Sequence, residues 1–111
     1  MSIGALFTTA GNASAYDTVP IDVGHWVGLY YQPTTSDGKI PNGDLPPGGA
    51  IIAKCWTVGQ SIGNYGDTWY ETDQVNDGTG WGVTLGWVYV FAGYADGNAR
   101  SVNRDPNIPQ C

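Results

Sequence analysis

Glycine and proline recur along the whole chain, and this distribution is what most restricts its fold. The 111 residues include 17 glycines and 7 prolines. Both residue types weaken helices and favour turns, so they leave little room for long helices. The 5 tryptophans and 7 tyrosines favour short aromatic strands. We therefore predict one compact, all-β domain.

The two cysteines, Cys55 and Cys111, allow one intramolecular disulfide. A domain of this size gains from a cross-link, since closing a loop of this length contributes roughly 4 kcal/mol in the chain-entropy model. A disulfide would indicate an oxidising compartment, so we expect a small secreted protein. Two unpaired, buried thiols are the alternative.

Acidic residues outnumber basic ones by 10 to 4, which gives a formal net charge of −6. Binding to nucleic acid or to an anionic membrane needs clustered lysine and arginine, so we expect neither partner. No segment approaches the roughly 18 continuous apolar residues of a membrane span. Recognition should instead use aromatic rings and hydrogen bonds, and we expect a monomer.

Runs rich in aromatic and β-branched residues predict the strands. Four of them are residues 25–31, 50–58, 68–72 and 81–91. The breakers in residues 34–49 predict a long structured loop, and Asp77-Gly78 predicts a hairpin turn. Gly82 and Gly86 predict a bulge or bend in the last strand.

Four sequence pieces, in order, resemble bacterial SH3-like (SH3b) domains. They are Val-Gly-Leu-Tyr-Tyr-Gln-Pro at 27–33, Leu-Pro-Pro-Gly-Gly at 45–49, Trp-Tyr-Glu at 69–71 and Gly-Trp-Val at 86–88. A disulfide from the second strand to a C-terminal Pro-x-Cys is similar to the secreted actinobacterial type. Tyr30 stands where the family usually has arginine, and Gln32 replaces the glycine before the proline.

The resemblance implies a small SH3-like barrel of five to six short strands over residues 25–94. Residues 1–24 are then an extended N-terminal arm, and residues 95–111 a C-terminal tail tethered by the disulfide. It also implies a non-enzymatic binding domain directed at cell-wall peptide or glycan. By the same resemblance, Trp87 should lie in the core or on a groove floor.

Aromatic side chains are the binding candidates, because rigid amphipathic rings stack on sugars or cradle a peptide at low entropic cost. Five tryptophans exceed what a small barrel interior holds, so some should be exposed. The predicted ligand-binding residues are Tyr30, Tyr31, Trp56, Tyr70, Trp81 and Tyr89.

Other functions have weaker support in the sequence. His25, the single histidine, lies beside a tryptophan and favours a structural role over general-base duty. Glu71 and Asp73 lie two apart on a predicted strand, where solvated surface acids are a better interpretation than a hydrolytic pair. We expect no enzyme, cofactor or metal. The alternative is a small secreted inhibitor or interaction protein that inserts the proline-rich loop at residues 34–49 into an extracellular enzyme.

Overall fold

The computed structural model describes residues 17–36, 38–95 and 108–111. The elements in these residues are β1 (Asp17–Pro20), β2 (Ala50–Ala53), β3 (Cys55–Val58), β4 (Thr68–Asn76), β5 (Trp81–Phe91) and a 3-10 helix (Ala92–Tyr94). No α-helix occurs in this part of the chain, so the all-β prediction is confirmed. It also contains no helix long and apolar enough to cross a membrane. Residues 1–16 of the predicted arm and 96–107 of the predicted tail lie outside the described residues.

The five strands form one antiparallel sheet built around β4. On one side β4 pairs with β5, and on the other it pairs with β2 and β3 in succession. β1 pairs with the outer edge of β2, where Val19 lies opposite Ile51. The sheet curls into an open half-barrel.

The predicted first strand, residues 25–31, does not form as a strand. Val27 makes an isolated bridge with Leu45, and Tyr30 makes isolated bridges with Lys39 and Tyr89. The reason is that the loop between residues 38 and 45 folds back and supplies part of the backbone pairing. A strand forms earlier instead, because β1 in the predicted arm pairs with β2 and buries Val19.

The concave face of the sheet carries the main hydrophobic core, to which Ile51, Tyr70 and Val90 contribute. Trp69 precedes Tyr70 on β4 and therefore points to the opposite face. It is also fully buried, because its ring packs edge-on at 5.4 Å from Phe91 and 5.8 Å from Tyr30. The central strand is thus covered on both faces.

A disulfide joins Cys55 to Cys111, as predicted, and the alternative of two free thiols is wrong. The end of the tail lies along the outer edge of β3. Trp56 N donates to the carbonyl of Pro109 at 2.9 Å, and Cys111 N donates to the carbonyl of Trp56 at 2.8 Å. Ile108 is buried in the main core. The predicted tethered tail is therefore confirmed for residues 108–111.

β5 contains the predicted bulge. Val88 pairs with Thr72 and Val83 with Gln74, so residues 84–87 stand opposite a single residue of β4. Gly86 adopts φ +98°, a backbone conformation that residues other than glycine rarely adopt. The bulge therefore interrupts the regular pairing of β5 with β4.

Candidate functional site

An open cleft of about 530 Å³ lies where the half-barrel does not close. One wall comes from segment 26–31 and the loop at residues 40–45, and the other from β5 and the β4–β5 hairpin. Its apolar lining residues are Leu29, Ile40, Leu45, Val75 and Val88. Several of these belong to the hydrophobic core, so the cleft gives access to apolar surface that a closed barrel would hide.

Two exposed aromatic side chains also line the cleft. Trp26 is 61 % exposed and Tyr31 is 48 % exposed. Trp26 points outward because the next residue, Val27, turns its side chain into the core. Tyr31 is held by its backbone N–H, which donates to the carbonyl of Gly38 at 2.9 Å. Large rings left in water beside an apolar floor are typical of a binding surface.

The polar side of the cleft carries two carboxylates, one of which is paired with a lysine at its rim. Asp44 and Asp77 are among the lining residues, which include no lysine or arginine. Asp44 Oδ2 lies 3.2 Å from the ammonium group of Lys39. Asp77 Oδ1 accepts hydrogen bonds from the hydroxyl and backbone N–H of Thr79, at 2.6 and 3.0 Å. These bonds, the hydroxyl's first, hold the pKa of Asp77 below its usual value and keep the carboxylate ionised at neutral pH.

A shallower depression of about 250 Å³ adjoins the cleft at the hairpin. Trp81 and Val83 lie on its β5 side, and it shares Val75, Asp77 and Thr79 with the cleft. Trp81 is 51 % exposed. The two depressions therefore form a continuous surface that runs from Trp26 to the start of β5.

The structure brings only part of the predicted aromatic set to this surface. Tyr31 lines the cleft and Trp81 lines the adjoining depression, whereas Tyr30 lines a smaller pocket of about 140 Å³ that meets the cleft at Trp26 and Asp44. Trp56 and Tyr89 line none of these three. Trp56 packs against the core, and the hydroxyl of Tyr89 donates to Glu71 at 2.8 Å.

Three tryptophan and tyrosine positions differ from the expectation. Tyr70 is fully buried, so its predicted place on the surface is wrong, because β4 is covered on its concave face by the core. Trp87 is half exposed instead of buried, since it lies in the bulge of β5. Trp26 is not among the predicted residues. Its position next to buried Val27 is the signal that could have identified it.

The polar residues weighed for chemistry lie elsewhere. His25 Nδ1 donates to the carbonyl of Trp26 at 2.9 Å, and its ring packs edge-on against Tyr94. Lys54 Nζ lies 3.7 Å from Asp73 Oδ1. Among the described residues, the one cluster with metal-ligand spacing is Cys55, Glu71 and Cys111, and both of its sulfurs are held in the disulfide.

Comparison with known proteins gives no match to a family model, a curated protein or a solved structure. The functional argument therefore depends on the geometry of the cleft. An apolar floor, exposed rings and two carboxylates can hold a ligand by packing, stacking and charge.

Proposed function

We propose that this chain is a secreted, non-enzymatic, SH3-like binding module that holds an extended peptide or glycan of the bacterial cell wall. The observation that carries the proposal is the pair of exposed rings, Trp26 and Tyr31, over the apolar floor of an open cleft. Such rings lose little conformational entropy on binding and stack on sugar faces or on the flat groups of a peptide.

The shape of the cleft favours an extended ligand. It continues into the depression beside Trp81, so a linear chain can contact both the rim aromatics and the start of β5. A compact metabolite would occupy only one end of this surface. Repeating polymers such as wall glycans and their peptides have the required length and rigidity.

The composition of the cleft favours binding over catalysis. Its acidic groups are already engaged, Asp44 by an ion pair with Lys39 and Asp77 by the hydroxyl and amide of Thr79. The lining residues include no histidine and no cysteine. The disulfide is compatible with an extracellular location, which supports the secreted part of the proposal.

Sedimentation with purified peptidoglycan tests the proposal directly. We expect the protein to pellet with the wall, and Trp26→Ala and Tyr31→Ala each to weaken retention by about 10-fold, the typical effect of losing an aromatic anchor. Trp87→Ala is the matched control. Trp87 is equally exposed but lies outside the cleft lining, so its variant should be retained like the wild type.

Two results would contradict the proposal. One is that the wild-type protein stays in the supernatant at every wall concentration. The other is that Trp26→Ala and Tyr31→Ala pellet as well as the wild type, which would place wall binding on another surface. Thermal unfolding of all the variants confirms that any loss of retention is not a loss of fold.

A further inference from the structure

The outer edge of β5 is largely unpaired. Among the described residues, its outward backbone hydrogen bonds are confined to Tyr89, which exchanges bonds of 3.0 and 2.7 Å with Tyr30. Residues 81–83 pair with β4 on their inner side, and the bulge begins at residue 84. An edge of this kind is a template for another strand, since its free N–H and C=O groups point outward together.

The bulge at residues 84–87 limits the free edge to residues 81–83, because a bulge bends a strand away from a flat pairing edge. Residues 81–83 include no charged residue and no proline, which are two other devices by which edge strands avoid pairing. Val83 is 77 % exposed and Trp81 is 51 % exposed. The edge also borders the proposed binding surface, because Thr84 lines the cleft and Val83 lines the adjoining depression.

Charge indicates which strand could add there. Asp77 lies along the cleft and keeps its negative charge, because its partner Thr79 is neutral, whereas Asp44 is ion-paired with Lys39. The whole chain carries a net charge of −6. A second copy of this chain would bring the same negative charge to the edge and be repelled. A peptide with lysine or arginine side chains would meet the carboxylate of Asp77 and the exposed rings of Trp26 and Tyr31, which attract cations through their faces.

We propose that the preferred ligand is an extended basic peptide that adds as a strand to residues 81–83 and places its cationic side chains in the cleft. This inference rests on the proposed binding function and names the ligand class for the same surface. Backbone pairing with β5 supplies the affinity, and the acidic, aromatic cleft selects the charge of alternate side chains.

Calorimetric titration of the full chain with synthetic peptides tests the inference. We expect a short peptide that alternates lysine with valine to bind, and its glutamate–valine counterpart not to bind. Asp44→Asn and Asp77→Asn should each weaken binding by about two- to five-fold, as expected for exposed charge pairs. Asp22→Asn is the matched control, because Asp22 is an exposed carboxylate outside the cleft.

Backbone pairing has a separate signature. Along a strand, successive backbone N–H groups point to opposite sides. Of two peptides, one N-methylated at its odd-numbered residues and one at its even-numbered residues, one should therefore lose binding and the other should keep it. Val83→Lys should also reduce binding, because a lysine protects an edge strand and repels a basic peptide. Val83 is exposed, so an unchanged melting temperature should accompany this loss.

Several outcomes would overturn the inference without affecting the proposed function. Equal binding of the glutamate–valine peptide would remove the charge selection, and equal binding of both N-methylated peptides would remove the strand addition. Binding of wall glycan fragments but of neither peptide would show that the cleft is a glycan site. Failure of wall retention through Trp26 is measured separately by sedimentation and concerns the proposed function alone.

Discussion

Glu71 connects two side chains, Tyr89 and Cys55, on the convex face of the sheet. Its Oε2 accepts the hydroxyl of Tyr89 at 2.8 Å, and its Oε1 lies 3.6 Å from Sγ of Cys55. Tyr89 and Cys55 flank Glu71 in the sheet register, on neighbouring strands. Tyr89 therefore ties β5 to β4 beside the disulfide, a structural role for a side chain that the sequence indicated as a ligand contact.

Stability at alkaline pH should depend on Tyr89. Burial first, and then the hydrogen bond and the charge of Glu71, raise the pKa of Tyr89 above its ordinary value of 10.0. The unfolded chain therefore releases the phenol proton at a lower pH than the native protein. The protonated phenol of Tyr89 therefore contributes fully to the free energy of unfolding below pH 10, and this contribution is lost as the pH rises above that value. Urea unfolding at about pH 8 and about pH 10.5 should show a larger loss of stability for the wild type than for Tyr89→Phe.

Tyr31→Phe is the matched control for this measurement. It removes an exposed phenol that lies outside the Glu71 pair, and we expect its stability to change with pH as the wild type's does. An equal alkaline loss in the wild type and in Tyr89→Phe would show that the hydrogen bond to Glu71 does not favour the protonated phenol in the native state.

At the residue scale, the sequence predicts the types of residue in the site better than it predicts which residues form it. An excess of aromatic residues indicates exposed rings, and Tyr31 and Trp81 are among them. The alternation of side chains along a strand places Trp69 and Tyr70 on opposite faces of the sheet, but it does not show that both faces of β4 are buried. Burial depends on segments distant in sequence that pack on each face, and the pattern of one strand does not predict them.

At the element scale, β4 and β5 follow from local sequence, and segment 25–31 does not. The Asp77-Gly78 turn joins two strands that are neighbours in sequence, so local signals suffice. Segment 25–31 finds its partners in the loop before β2 and in β5, at separations that no local pattern reports. Its β-prone residues are used in isolated bridges instead of a strand.

The disulfide should contribute strongly to the stability of β3 and its neighbouring tail. Cys55 and Cys111 are separated by 56 positions, and closing a loop of that length stabilises the native state by about 4 kcal/mol in the chain-entropy model. We expect the Cys55→Ser, Cys111→Ser double variant to lose about that much free energy of unfolding in urea. The amide of Trp56 should also exchange faster, because Pro109 of the tail is its hydrogen-bond acceptor.

Ile108→Ala separates the covalent contribution from the packing of the tail. Ile108 is buried in the core, and its variant keeps the disulfide. Suppose that Ile108→Ala loses much free energy of unfolding and that the double cysteine variant loses less than about 1 kcal/mol. Packing, and not loop closure, would then hold the tail on β3.

At the scale of the whole molecule, an uncharged edge and a strongly acidic chain have to be considered together. Residues 81–83 of β5 carry no charge, so they give no local electrostatic barrier to pairing with a second copy. The net charge of −6 supplies the barrier instead, since two copies repel each other at neutral pH. Solubility is therefore a property of the entire surface and not of the strand at risk.

Lowering the pH should accordingly expose the edge to self-association. Near pH 4 the carboxylates begin to protonate and the net charge falls towards zero, so repulsion between copies weakens while the exposed Val83 and Trp81 remain. We expect monomers in analytical ultracentrifugation at neutral pH and dimers or larger species at about pH 4. Val83→Lys should stay monomeric at both values, because a lysine on an edge strand blocks pairing at any net charge. Asp22→Asn lowers the net negative charge without altering β5, so it should associate at least as readily as the wild type. If Val83→Lys associated as strongly as the wild type at about pH 4, the contact would lie away from β5, and the edge could no longer be regarded as the protein's free pairing site.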